Sequence, residues 1–151
     1  MQDLKLYLDK QVAVFNNPSF IDSDPISIPH RFAIKQDIEI SGFVTAILSW
    51  GNRRSIIAKS TFLMQLMENE PLSFLRNSSE KEFDRFSNFV YRTFNSDDCI
   101  FLLQALQQLY RENNSLEDVF VKGYQKDYQW QIIRKLFSVK FINQRCKQCH
   151  S

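Results

Sequence analysis

Only three glycines and four prolines stand in the 151 residues. That is too few for the many tight turns of a sandwich or barrel, and it favours long helices. No run of about 18 apolar residues occurs, so no segment reads as a helical membrane span and no membrane partner is expected. Cysteine is scarce and odd in number, at Cys99, Cys146 and Cys149, and the opening Met1–Lys5 lacks a basic stretch followed by an apolar core. Both features point to a reducing cytoplasm rather than to an exported, disulfide-bonded chain. An excess of one charge is missing too: 19 Lys and Arg against 17 Asp and Glu leave +2, which singles out no partner. There is no glycine-rich phosphate loop, no nucleophile elbow and no pair of carboxylates on one helical face. No catalytic residue is therefore assigned.

What is present is apolar and aromatic. Hydrophobic residues make up 44% of the chain, with fourteen Phe among them, enough for an ordinary core. The expectation is an all-α, compact bundle of about six to eight helices, with a helical domain over 1–139 and a basic tail over 140–151. From Val121 onward there are seven Lys or Arg and one acid, Asp127.

Leu4, Tyr7, Leu8, Val12 and Phe15 recur at helical spacing with charges between them, which predicts a helix over 3–15 with one face to bury. Asn16-Asn17-Pro18 ends it, because the residue before a proline is pushed out of the helical region. Pro25 and Pro29 stiffen the next loop. From Gln36 to Trp50, Ile40, Phe43, Val44, Ile47 and Leu48 form an apolar face, while Asp37, Ser41, Thr45 and Ser49 form a polar stripe four apart. Gly51 suits a left-handed cap and Asn52 suits the start of a helix over about Arg53–Asn69, buried through Ile56, Ile57, Leu63, Met64 and Met67. Pro71–Leu75 reads as a short helical turn, and Ser79 as the cap of a short helix carrying Phe83 and Phe86. The strand-like run Phe89–Phe94 has no partner run, so it reads as a connector. Ser96 followed by Asp97 and Asp98 starts a helix with Leu102, Ala105, Leu106, Leu109 and Tyr110 on its buried face. Ser115 with Asp118 restarts another, and a last helix is expected over about 126–139.

Three constellations bear on chemistry. Arg53 and Arg54 stand at a helix start, where their charge opposes the macrodipole. Two readings stay open: a phosphate resolves the conflict, or the arginines are solvated and water screens the penalty to a few tenths of a kcal/mol. His30 and Arg31 form a polar pair nearby. Asp22, Asp24, His30 and Asp37 lie close in sequence, but their spacing fits no metal signature, and turn or cap roles suit them better. Cys146-Lys147-Gln148-Cys149-His150 matches the pattern for covalent haem attachment. It ends one residue before the last, without a distal ligand, and zinc wants a fourth donor that is not near. No metal or cofactor is assigned.

Asp24-Pro-Ile-Ser-Ile-Pro-His-Arg-Phe32, Gln36–Phe43, Leu48-Ser-Trp-Gly-Asn-Arg53 and Tyr91-Arg-Thr-Phe-Asn95 resemble, in the same order, the opening half of an uncharacterised bacterial family, domain of unknown function 2400. The resemblance covers Leu4 to Phe137 and leaves the last dozen residues aside. That family is in turn distantly similar to the helix-hairpin-helix DNA glycosylases of DNA repair, which act on bases flipped from the duplex. In those enzymes a Leu-Ser-x-Gln turn carries a wedge residue into DNA. Leu48-Ser49-Trp50-Gly51-Asn52 aligns with it, with Gly51 where the Gln stands, so the role passes to Asn52 or Arg53. No residues match the phosphate-gripping hairpin or the catalytic Lys and Asp that follow it. The resemblance implies a truncated, N-terminal part of a glycosylase-like fold that touches DNA without catalysis alone, through Asn52, Arg53, Arg54, His30 and Arg31. It also implies that the apolar face of the first helix lacks its partner, so marginal stability and self-association through that face are expected. The alternative is a non-enzymatic helical interaction module with no nucleic-acid role.

Overall fold

A computed structural model describes residues 2–125, and their regular secondary structure is helical. The elements are α1 (Gln2–Phe15), α2 (Pro18–Ile21), two single turns of 3-10 helix (Pro25–Ser27 and Pro29–Arg31), α3 (Lys35–Leu48), α4 (Arg53–Leu66), α5 (Pro71–Asn77), a 3-10 segment (Glu80–Phe86), α6 (Ser96–Glu112) and α7 (Leu116–Gln125). Among the described residues no strand forms, and the bundle is all-α as composition suggests. The helix expected over 126–139, the basic tail and the Cys146, Cys149, His150 group lie outside the described residues.

The four prolines do more than stiffen loops. Pro18, Pro25, Pro29 and Pro71 each open a helix or 3-10 turn, where the missing N–H leaves nothing unpaired and the fixed φ is already helical. Capping is mostly local as well. Ser79 and Glu82 form a reciprocal box at the start of the 80–86 segment, and Ser115 Oγ accepts from the Asp118 N–H at 3.1 Å. At α6 the cap falls one residue earlier than the sequence suggests. Asn95, not Ser96, accepts from the Asp98 N–H at 3.0 Å, and Asp98 accepts from the Asn95 N–H at 3.1 Å. Asn and Ser are near-equal caps, and the reciprocal bond to Asp98 favours Asn95.

Helix α3 is the centre of the packing. Ile40, Val44 and Leu48 are fully buried, and the helix packs against α4, α5 and both early 3-10 turns. At about 1.5–3 kcal/mol for each buried aliphatic side chain, these three residues alone outweigh any propensity term for the helix. The polar stripe is buried with them through Asp37, Ser41 and Thr45, while Ser49 is exposed. Asp37 explains its own burial. Its carboxylate accepts the backbone N–H of Leu72 at 2.8 Å and so caps the start of α5 across the interface. Phe74, Phe83 and Phe86 meet at ring-centroid distances of 5.6–6.2 Å, two of the three pairs edge to face, and join this end of the core to α6.

At the other end, Glu39 of α3 accepts the Tyr110 hydroxyl and the Leu116 N–H, both at 2.9 Å. Lys35 bonds Glu117 of α7, which raises the lysine pKa above its ordinary value. Burial first, and then the bond to Glu39, push the Tyr110 phenol above its usual range. Helices α3, α6 and α7 are thus tied by one hydrogen-bonded carboxylate.

Helix α1 forms as expected, and its apolar face is exposed, as the family resemblance implies. Leu4, Tyr7, Leu8, Val12 and Phe15 are each at least half exposed, as are Leu6 and Val14. Periodicity predicts the helix; burial depends on what lies opposite, and no described element covers this face. Phe15 meets Phe20 edge to face at 5.7 Å, which fastens the end of α1 to the loop that follows.

Candidate nucleic-acid interface

The connection from α3 to α4 is four residues long, and each is held for a different reason. Leu48 closes α3, and the chain leaves it through Ser49 and Trp50. Gly51 has φ +129°, a conformation that L side chains rarely adopt. Asn52 then caps α4, its side-chain oxygen accepting the N–H groups of Arg54 at 2.9 Å and Ser55 at 3.4 Å. The Asn52 cap stands where the sequence places it, whereas α3 is capped at Ser49 and Gly51 serves the turn beyond it.

The turn does not stand alone. Residues 91–94 form a tight turn of their own, in which Tyr91 and Phe94 exchange both backbone hydrogen bonds at 2.8 and 2.9 Å, with Arg92 in the left-handed region at φ +57°. The run Phe89–Phe94 is therefore a connector, as read, but a turned one. The buried Tyr91 donates its hydroxyl to the Trp50 carbonyl at 3.2 Å. The Arg92 guanidinium lies over the Trp50 ring, 4.8 Å from its centroid. Bareness at Gly51 is what admits it: a Cβ there would fall 2.7 Å from Arg92 Nη1 and 3.1 Å from the Tyr91 hydroxyl. Trp50 keeps 43% of its surface exposed, so it is not a core residue.

The two arginines at the start of α4 divide their roles. Arg53 reaches back to Asp24 at 3.7 Å and lies over the Phe20 ring at 5.2 Å. The anion that offsets its charge is thus partly internal, an ion pair with 58% and 22% exposed side chains and worth at most about 1 kcal/mol. The Arg54 side chain is exposed and has no hydrogen-bond or ion-pair partner among the described residues. Arg31 is partly engaged, donating to Thr61 Oγ1 on α4 at 3.0 Å. His30 is exposed on the second 3-10 turn, with no partner among the described residues. The structure therefore brings Asn52, Arg53 and Arg54 together with Asp24 and Phe20, and sets Arg31 against α4 at Thr61.

The remaining candidates have local roles. Asp24 caps the first 3-10 turn by accepting the Ile26 N–H at 3.1 Å, and Asp37 caps α5 as described. Asp22 is exposed. Among the described residues no three His, Cys, Asp or Glu side chains gather into a cation site. Cys99 is buried, and desolvation followed by the nearby Asp98 charge pushes its thiol up to about 12, which keeps it an unreactive neutral group. An open hollow of about 400 Å³ lies at the far end of α6, with Arg76, Arg111 and Lys122 on its walls and Glu112 and Asp118 between them.

Sequence reasoning missed Arg92 as a site residue. The signal was a cation in the middle of a four-residue segment closed by aromatics, Tyr91-Arg92-Thr93-Phe94, but nothing local connects that segment with Trp50.

Fold and site together define an all-helical protein in which a turn with an exposed tryptophan and two arginines meets Arg92 of a second turn. The chain belongs to the family described as Protein of unknown function (DUF2400), whose model matches residues 24–150. The match runs from Asp24 to His150 rather than from Leu4 to Phe137, so α1 and α2 precede it and the basic tail expected outside the family pattern falls almost wholly within it. No curated protein and no solved structure matches the chain. No described helix is long and apolar enough to cross a membrane.

Proposed function

We propose that the protein contacts DNA through the α3–α4 turn, as a relative of the base-excision glycosylases that supplies a backbone-binding wall and no catalysis of its own. The observation that carries this reading is a turn with Arg53 and Arg54 at the start of α4 and Arg92 stacked on Trp50, tied to the 91–94 turn by Tyr91 at the bare Gly51. Cations on a rigid support bind phosphates with little ordering cost, and a rigid turn keeps the register of those contacts. Arg54 and Arg92 are the phosphate ligands in this reading. Arg53 serves chiefly to join the turn to the Asp24 loop, since its guanidinium already faces a carboxylate.

The test is anisotropy with a labelled duplex carrying an abasic or mismatched position, between about 50 and 200 mM salt. Binding should fall steeply with salt, and Arg54→Ala with Arg92→Ala should reduce the slope of log K against log salt by about 2. Arg53→Ala with Arg54→Ala should weaken binding less, by about one contact. No measurable binding at low salt, or binding indifferent to all three substitutions, would sink the proposal. The second reading is a helical interaction module without a nucleic-acid role. The exposed apolar face of α1 favours it, and it gains ground if Leu8→Glu disrupts an assembly while DNA binding is absent.

A further inference from the structure

We infer that the Trp50–Arg92 pair is a stacking platform for an unpaired nucleobase, so that the preferred partner is a single strand or an unpaired stretch rather than continuous duplex. The inference rests on the nucleic-acid reading above and narrows it. Three observations carry it. Trp50 leaves 43% of its surface in water, whereas Phe74, Phe83, Phe86 and Phe89 are all buried. Its carbonyl accepts the Tyr91 hydroxyl at 3.2 Å, which ties the backbone that carries the ring to the 91–94 turn. And the guanidinium over the ring, with Cζ 4.8 Å from the centroid, pairs with no carboxylate among the described residues.

That last point separates a platform from ordinary surface packing. An arginine stacked on tryptophan and also paired with an acid is a closed structural unit. Among the described residues the Arg92 guanidinium is held by the ring alone, at an exposed site where a cation–π contact is weaker than base–aromatic stacking. A base therefore replaces the guanidinium on Trp50. The released Arg92 turns its N–H groups to the adjoining phosphate. Bases within a duplex are stacked on one another and offer no free face, whereas unpaired bases do.

The experiment uses the full chain carrying Trp130→Phe, which leaves Trp50 as the sole tryptophan, with circular dichroism matched to the parent. It is titrated with an oligothymidylate of about ten nucleotides, an abasic sugar-phosphate strand of the same length, and a duplex of that length. The expected result is quenching of Trp50 emission by oligothymidylate and affinity at least fivefold above that for the abasic strand and for the duplex. In the parent background, Trp50→Ala should erase that preference by anisotropy and Trp50→Phe should keep most of it, so the result stands even if Trp130→Phe does not fold. Equal binding of the three ligands without quenching overturns the platform and leaves the backbone contact intact. Tighter binding of duplex than of oligothymidylate also overturns it, and no binding of any ligand overturns both readings.

Discussion

Gly51→Ala tests the turn most directly, because its effect comes from two independent sources. The first is conformational. At φ +129° an L side chain is held in a sparsely populated region at a cost of about 1–3 kcal/mol. The second is steric. The new methyl would lie 2.7 Å from Arg92 Nη1 and 3.1 Å from the Tyr91 hydroxyl. Nη1 is the end of a flexible side chain and moves away, which forfeits about 0.5–1 kcal/mol of exposed cation–π contact. The tyrosine is buried and has less freedom, so its bond to the Trp50 carbonyl lengthens or breaks, at about 0.5–1.5 kcal/mol. The sum is about 2–5.5 kcal/mol, with the backbone term the largest share. Urea unfolding should show the midpoint falling with the slope unchanged, since the surface exposed on unfolding hardly differs. A cycle with Arg92→Ala separates the sources. If the methyl displaces Arg92, the second substitution costs less in the alanine background than in the parent, by about 0.5–1 kcal/mol. A loss below about 0.5 kcal/mol for Gly51→Ala would refute the claim that this glycine is required by backbone conformation. Strict additivity in the cycle would refute the contact with Arg92 while leaving the backbone argument standing.

Glu39→Ala should cost about 2–4 kcal/mol in the same assay, because the half-buried Tyr110 hydroxyl and the Leu116 N–H both lose their acceptor. Tyr110→Phe in that background should recover part of it, and no recovery would mean that the network is not what holds α3 to α6. Stability should also fall in alkali. The Cys99 thiol, at about 12 when folded against an ordinary value of 9.0, and the raised Tyr110 phenol stay neutral in the fold but ionise in the unfolded chain. Their contribution is whole below pH 9 and is lost as pH climbs toward 12. Cys99→Ala should flatten that decline between pH 9 and 11, and an unchanged profile would show that the thiol is not desolvated as described. Leu8→Glu with Val12→Glu should change the unfolding free energy by less than about 0.5 kcal/mol per site, since both side chains are more than half exposed beforehand or half so. A loss of 2 kcal/mol or more in a monomeric sample would show that the α1 face is buried in solution.

Much of the fold was legible from local pattern. The helices over α3, α4 and α6, the Asn52 cap, the left-handed Gly51 and the Ser79 box all depend on residues within about four positions of one another, the range over which helical hydrogen bonds and caps act. The Asn95 cap was missed by one residue because Asn and Ser are interchangeable on propensity, and only the reciprocal bond with Asp98 separates them. The fate of α1 was legible only in part. Spacing shows that it has an apolar face, but no sequence pattern shows whether another element lies against it.

The site followed the same division. Asn52, Arg53 and Arg54 form a recognisable basic turn in the sequence because they are consecutive and sit at a helix start. That Arg53 is answered by Asp24, that Asp37 caps a helix beginning at Pro71, and that Arg92 lies over Trp50 are relations between residues about 30 to 40 positions apart. Contacts at that separation are set by how α3, α4 and the 91–94 turn pack, and packing depends on the shapes of all the surfaces at once. The sequence by itself therefore determined the helices, their ends and a cationic turn. Only the tertiary structure decided which arginine is engaged, which is free, and that an exposed tryptophan stands between them.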